Sequence, residues 1–103
     1  MRKAKVTINH EKLQASSNLL RAIAHPLRMK ILEYIDRHEA INVNKIYNAL
    51  KIEQSITSQH LRILRQAGLV DARRDGKFIL YSVEYDRMAE AVKAINAFLE
   101  KPR

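Results

Sequence analysis

A chain of 103 residues without a cysteine excludes disulfide scaffolds, thiolate metal centres and thiol redox chemistry. A formal charge of +8 points to a polyanionic partner, while 47% hydrophobic residues suit one small folded domain over residues 1–103 rather than a disordered polyelectrolyte. No apolar run approaches the ~20 residues that span a bilayer, and no apolar segment follows the basic N-terminus as in a secretory signal, so a cytoplasmic protein with no membrane partner is expected.

In chain order, residues 1–10 read as a basic arm holding Arg2, Lys3 and Lys5 and no acid. A first helix is predicted over about 11–25, with Leu13, Ser16, Leu20 and Ile23 on one stripe and Leu19 beside it. His25-Pro26 then interrupts, because proline disfavours helix at the residue before it and suits the first turn of a new one. The second helix runs to about Arg37 with Leu27, Ile31, Leu32 and Ile35 inward. Asn42 or Asn44 caps a third, short helix, in which Val43, Ile46, Tyr47 and Leu50 fall at i, i+3, i+4 and i+7. Ser55 is the expected N-cap of a fourth helix. Its inner seam is Leu61, Leu64 and Ala67, with Ile56 or Ile63 at the margin, and Gly68 supplies a left-handed ending.

The period then changes from helix to strand. Residues 69–74 and 77–83 flank Asp75-Gly76, a strong short-range hairpin signal. A last helix is predicted over about 84–101, with Met88, Ala91, Val92, Ile95 and Leu99 on one stripe and Phe98 next to it. The fold class is therefore mainly α with a small β-hairpin: four helices, two strands and a helix. The middle part is a helix-turn-helix followed by a two-stranded wing.

A helix-turn-helix lays its second helix in the major groove of double-stranded DNA, with the N-terminal residues at base edges. Here the fourth helix opens on SITSQHLR, residues 55–62. Ser, Thr and Gln can donate or accept at base edges, Arg can pair with guanine or phosphate, and His can do either. Gln54, Ser55, Thr57, Ser58, Gln59, His60 and Arg62 are the expected reading set; the alternative is a solvated face with no role. At the hairpin tip, Arg73, Arg74 and Lys77 are expected on phosphates or in the minor groove; the alternative is a charged tip that keeps a hairpin soluble. Charge favours the first reading, since residues 41–83 carry seven cations against three acids. The N-terminal arm touches DNA or nothing.

The first and last helices carry more apolar surface than the edge of a small domain needs. Leu13, Leu20, Met88, Val92, Ile95 and Leu99 are the expected seam of a homodimer, whose two reading helices sit about 34 Å apart on one DNA face. The four histidines stand at 10, 25, 38 and 60 on different elements, so no metal site is expected. No nucleophile–base–orienter trio and no phosphate-cradling loop is visible, so neither a cofactor nor an enzyme is expected. Two other classes stay open: a winged module that docks on another protein, and an architectural binder of any duplex.

Three stretches carry a resemblance: LRAIAHPLRMKIL at 20–32, SITSQHLRILRQAGLV at 55–70, and Arg73 through Val83. Together they resemble the ArsR/SmtB family of bacterial winged-helix repressors over roughly residues 13–99. The resemblance implies a homodimer joined through its first and last helices. It also implies an imperfect palindrome near a promoter as target, and release when an inducer binds. Metal-sensing members place cysteines in the third helix, where this chain has Val43, Ile46 and Tyr47. Their other site lies in the last helix, at positions that hold Tyr85, Arg87, Phe98 and Lys101 here. The expectation is a repressor without metal or thiol response, its effector an unknown ligand or partner protein.

Overall fold

Pro26, Asn42 and Gly76 each mark an element boundary. The computed structural model describes the backbone of residues 10–99 and the side chains of 17–94 and 96. The arm residues 1–9, Lys101, and the side chains of Leu13, Ser16, Ile95, Phe98 and Leu99 lie outside the described residues. The elements are α1 His10–Ile23, α2 Pro26–His38, β1 Ile41–Asn42, α3 Val43–Leu50, α4 Gln54–Gln66, β2 Val70–Asp75, β3 Phe78–Val83 and α5 Tyr85–Leu99.

Pro26 is the first residue of α2 and His25 its N-cap, extended at φ −144°, ψ 125°, with Nδ1 accepting from the Leu27 N–H at 3.2 Å. Helix α1 therefore stops at Ile23, two residues before the expected end. Asn42, not Asn44, caps α3: its Oδ1 accepts from the Lys45 N–H at 2.9 Å. The sheet has three antiparallel strands in the order β1-β3-β2. Strand β1 is an addition to the expected elements. It pairs Ile41 with Tyr81 and Asn42 with Leu80, and two residues are too few to show a period. In the wing Asp75 pairs with Phe78, so the two-residue loop is Gly76-Lys77, one step beyond the expected Asp75-Gly76. Gly76 sits at φ +63° and Lys77 does not share a positive φ, the pattern of a type II′ turn.

The core joins α2, α3, α4 and the sheet. Ile31, Ile35, Ile46, Leu61, Leu64 and Leu69 are fully buried, with Leu32, Ile41, Val70 and Val83 around them. Each such side chain contributes about 1.5–3 kcal/mol of transfer free energy. Leu19 and Ala22 of α1 and Ala91 of α5 close one side; Leu27, expected inward, is only half-buried. Ordinary packing thus holds α4 by its inner seam and leaves its outer side free.

One strained residue closes α2. Glu39 stands at φ +61°, ψ −63°, where the Ala40 N–H donates to His38 O at 2.6 Å. This is a tight three-residue turn that L side chains rarely adopt. Glu39→Gly is expected to stabilise the fold by about 1 kcal/mol, the strain relieved exceeding the extra chain entropy. A urea midpoint that rises confirms the strain; a midpoint that falls denies it.

Candidate nucleic-acid interface

Helix α4 divides its residues by period. Thr57, Leu61 and Leu64 are fully buried, at i, i+4 and i+7. On the other side Ser55, Ser58, Gln59 and Arg62 are exposed and share one face. Gln54 is exposed at the entrance. These five expected readers are brought together.

Thr57 is not. It is 0% exposed, and its Oγ1 donates to Glu53 O at 3.0 Å, the carbonyl that also receives its own N–H. The expectation that Thr57 faces DNA is corrected: it is the first position of the inner seam, a polar residue at a core spacing. Nor is Ser55 the N-cap. Glu53 holds that position in extended geometry, φ −61°, ψ 142°, and the Ser55 hydroxyl donates to its Oε1 at 3.0 Å. Thr57→Val keeps the shape and removes only a hydroxyl whose acceptor stays bonded to the backbone. It is expected to leave duplex affinity and selectivity unchanged; a selectivity loss in a titration of matched and scrambled duplexes would return Thr57 to the reading set.

His60 is half-buried and turned toward α2. Its ring centroid lies 4.6 Å from that of His25, and its Nδ1 sits 3.4 Å from Arg28 Nη1. Arginine can only donate, so Nδ1 is the acceptor and the ring proton is on Nε2. Burial chiefly, then the His25 and Arg28 charges, push the His60 pKa below its ordinary value. The fold holds the neutral ring and the unfolded chain takes a proton more readily. The His60 contribution is therefore complete above about pH 6.5 and is lost as pH falls below that value. His60→Gln is expected to flatten the decline of thermal midpoint on the acid side of pH 6.5; an unchanged decline would place its origin elsewhere.

In the wing, Arg73, Arg74 and Lys77 are all exposed. Arg74 Nε donates to Gly76 O at 3.2 Å, and Lys77 Nζ lies 5.5 Å from the Phe78 ring centroid. Phe78 and Ile79, expected only as strand residues, are 43% and 49% exposed. Their register opposite Asp75 and Arg74 carries them past the end of the core. Arg87 has a role that its position in the sequence does not announce. Its Nε donates to Ala67 O at 3.1 Å and its Nη1 pairs with Glu90 at 2.7 Å. It thereby ties the end of α4 to α5 beside Gly68, which stands at φ +77°.

Of the expected dimer seam, Leu20 and Met88 are half-buried and Val92 is 49% exposed. Among the described residues no three His, Cys, Asp or Glu side chains come together as a metal site. Tyr85 and Arg87 are both engaged, Tyr85 through its hydroxyl to Asp36 Oδ1 at 2.5 Å. No helix among the described residues is long and apolar enough to cross a membrane.

Residues 25–72 match the profile of the bacterial regulatory proteins of the arsR family. The chain is 35% identical over 89 residues to the transcriptional repressor PagR of Bacillus anthracis, spanning 86% of this chain and 89% of PagR. The chain belongs to the arsR family. Its winged helix-turn-helix fold superposes on the crystal structure of NolR from Sinorhizobium fredii with a TM-score of 0.76, at 31% identity over 95% of this chain and 97% of NolR. The PagR crystal structure follows at 0.70, with 33% identity over 84% and 99%. The stretch matched to the arsR profile runs from the cap of α2 into β2. It contains the whole of α4 and omits α1 and α5.

Proposed function

We propose that this arsR-family chain is a sequence-specific regulator of transcription, acting as a repressor, that binds a two-fold-related DNA site as a homodimer. The observation that carries the reading is the exposed row Ser55, Ser58, Gln59 and Arg62 on a helix anchored by its opposite seam, beside a wing with three exposed cations. The row offers donors and acceptors for base edges, and the wing offers charge for the backbone. The repressor sense is supported by PagR, named a transcriptional repressor. The dimer is supported by the exposed Val92 on α5, a helix that packs on α1. Absence of a metal response is supported by Tyr85 and Arg87, which occupy positions where metal-sensing relatives would need ligands and are bonded elsewhere.

The test is equilibrium binding to the promoter region of its own gene and to a random duplex of equal length, across a salt series. Promoter-selective binding at about 0.15 M salt, with two chains per site, is the expected result. Equal affinity for both duplexes would leave an architectural role, and no binding to either at any salt would leave the protein-docking reading.

A further inference from the structure

A shallow cavity of about 300 Å³, wide open to solvent, lies between α1 and α4. Asn18, Arg21 and Ala22 form one wall, Ile63, Gln66 and Ala67 the other, and Arg28 closes it from α2. The α4 wall lies next to the exposed row of that helix and shares no residue with it. The volume is at the lower end of small-molecule sites, about 300–1,000 Å³.

The charge of this cavity is one-sided. Arg28 is half-buried, and among the described residues neither Arg21 nor Arg28 lies within ion-pair distance of a carboxylate. Arg28 donates from Nε to Ala22 O at 2.6 Å, from Nη2 to Arg21 O at 3.0 Å and from Nη1 to His60 Nδ1 at 3.4 Å. A guanidinium carries five N–H groups, so two remain unassigned by these bonds. A half-buried cation with no counterion among the described residues, bordered by Ala22, Ile63 and Ala67, is complementary to an anion with an apolar body.

We propose that the cavity binds a small organic anion, one carboxylate on a compact apolar group, and that Arg28 passes its arrival to α4 through His60. The Arg28–His60 bond is the longest of the three, so a carboxylate drawing Nη1 into the cavity breaks that one first. The two carbonyl bonds keep Arg28 fixed to the end of α1. His60, on the reading helix itself, then loses its hydrogen bond to α2. As an effector site this inference rests on the DNA-binding reading; as a binding site it does not.

The probe is sodium benzoate, titrated into the full chain and followed by amide and histidine-ring NMR, with benzyl alcohol and inorganic phosphate as controls. The expected result is saturable benzoate binding that shifts signals of α1, α4 and the His60 ring. Benzyl alcohol, without the charge, and phosphate, without the apolar body, should each bind about ten-fold or more weakly. Replacing Arg28 endangers the fold, since it caps α1, so the test variant is Gln66→Glu on the exposed rim. It removes none of the groups that bond Arg28, sets a competing carboxylate on the cavity wall, and should weaken benzoate about ten-fold. The proposal is overturned by no saturable response, by benzyl alcohol binding equally well, by Gln66→Glu binding benzoate unchanged, or by a His60 ring that does not move. No DNA enters the measurement, so a chain that takes benzoate but no duplex would overturn the regulator and leave the anion site standing.

Discussion

Arg62→Ala is expected to weaken binding to the matched site by about 1–3 kcal/mol, about 5–150-fold, and binding to random duplex far less. Arg62 is exposed on the outer face of α4, where a planar fork can meet guanine O6 and N7. Arg73, Arg74 and Lys77 supply the opposite pattern. Replacing all three with alanine should weaken matched and random duplexes alike. It should also flatten the salt dependence by about 0.9 in log–log slope for each phosphate that is no longer neutralised. Anisotropy titrations of both variants against both duplexes check the pair. If the wing variant loses selectivity while Arg62→Ala loses only uniform affinity, the roles of helix and wing are exchanged.

Leu61→Ala is the second large effect. Leu61 is fully buried in the middle of the seam that seats α4 on the core. Truncation removes transfer free energy and leaves a cavity, a cost of about 2–5 kcal/mol against total stabilities of about 5–15 kcal/mol. In a domain of this size each kcal/mol lowers the thermal midpoint by about 4–8 °C, so a fall of roughly 8–40 °C is expected. Ile56→Ala, at a residue 37% exposed on the same helix, should change stability by about 0.5 kcal/mol or less. Equal losses at both positions, read by calorimetry, would mean that α4 is not held by a single face.

The long amphipathic helices and the hairpin are legible in the sequence because their periods repeat often enough to be seen. Ile31 and Ile35, or Ile46 and Leu50, each mark a face several times, and Asp75-Gly76 marks the turn to within one residue. What escapes is short, polar or long-range. Strand β1 is two residues and shows no period. Thr57 has the chemistry of a reader, but its spacing to Leu61 and Leu64 places it on the seam. Where a hydroxyl falls on a core spacing, the spacing is the better guide. His60 is expected on the reading face, and its attachment to Arg28, 32 positions away, has no local signal. The same holds for Arg87 on Ala67 O, 20 positions back. The exposure of Phe78 and Ile79 follows from how far the wing projects beyond Val70 and Val83, a tertiary fact that an apolar run cannot announce. The membership in the arsR family is legible in the sequence because its stretches lie at the end of α1, in α2, in α4 and in the wing, where spacing and residue type act together.

In the proposed function, the outer face of α4 reads the major groove from two symmetry-related chains. Guanine-N7 methylation interference on a duplex selected by the protein tests it most directly, because the methyl group projects into that groove. Two clusters of interfering guanines are expected, about 10–10.5 base pairs apart or a multiple of that spacing, on one side of the helix. Removing the side chain of Arg62 should erase the interference at one guanine of each cluster. A single cluster, or strong binding that no methylated guanine disturbs, would contradict this reading.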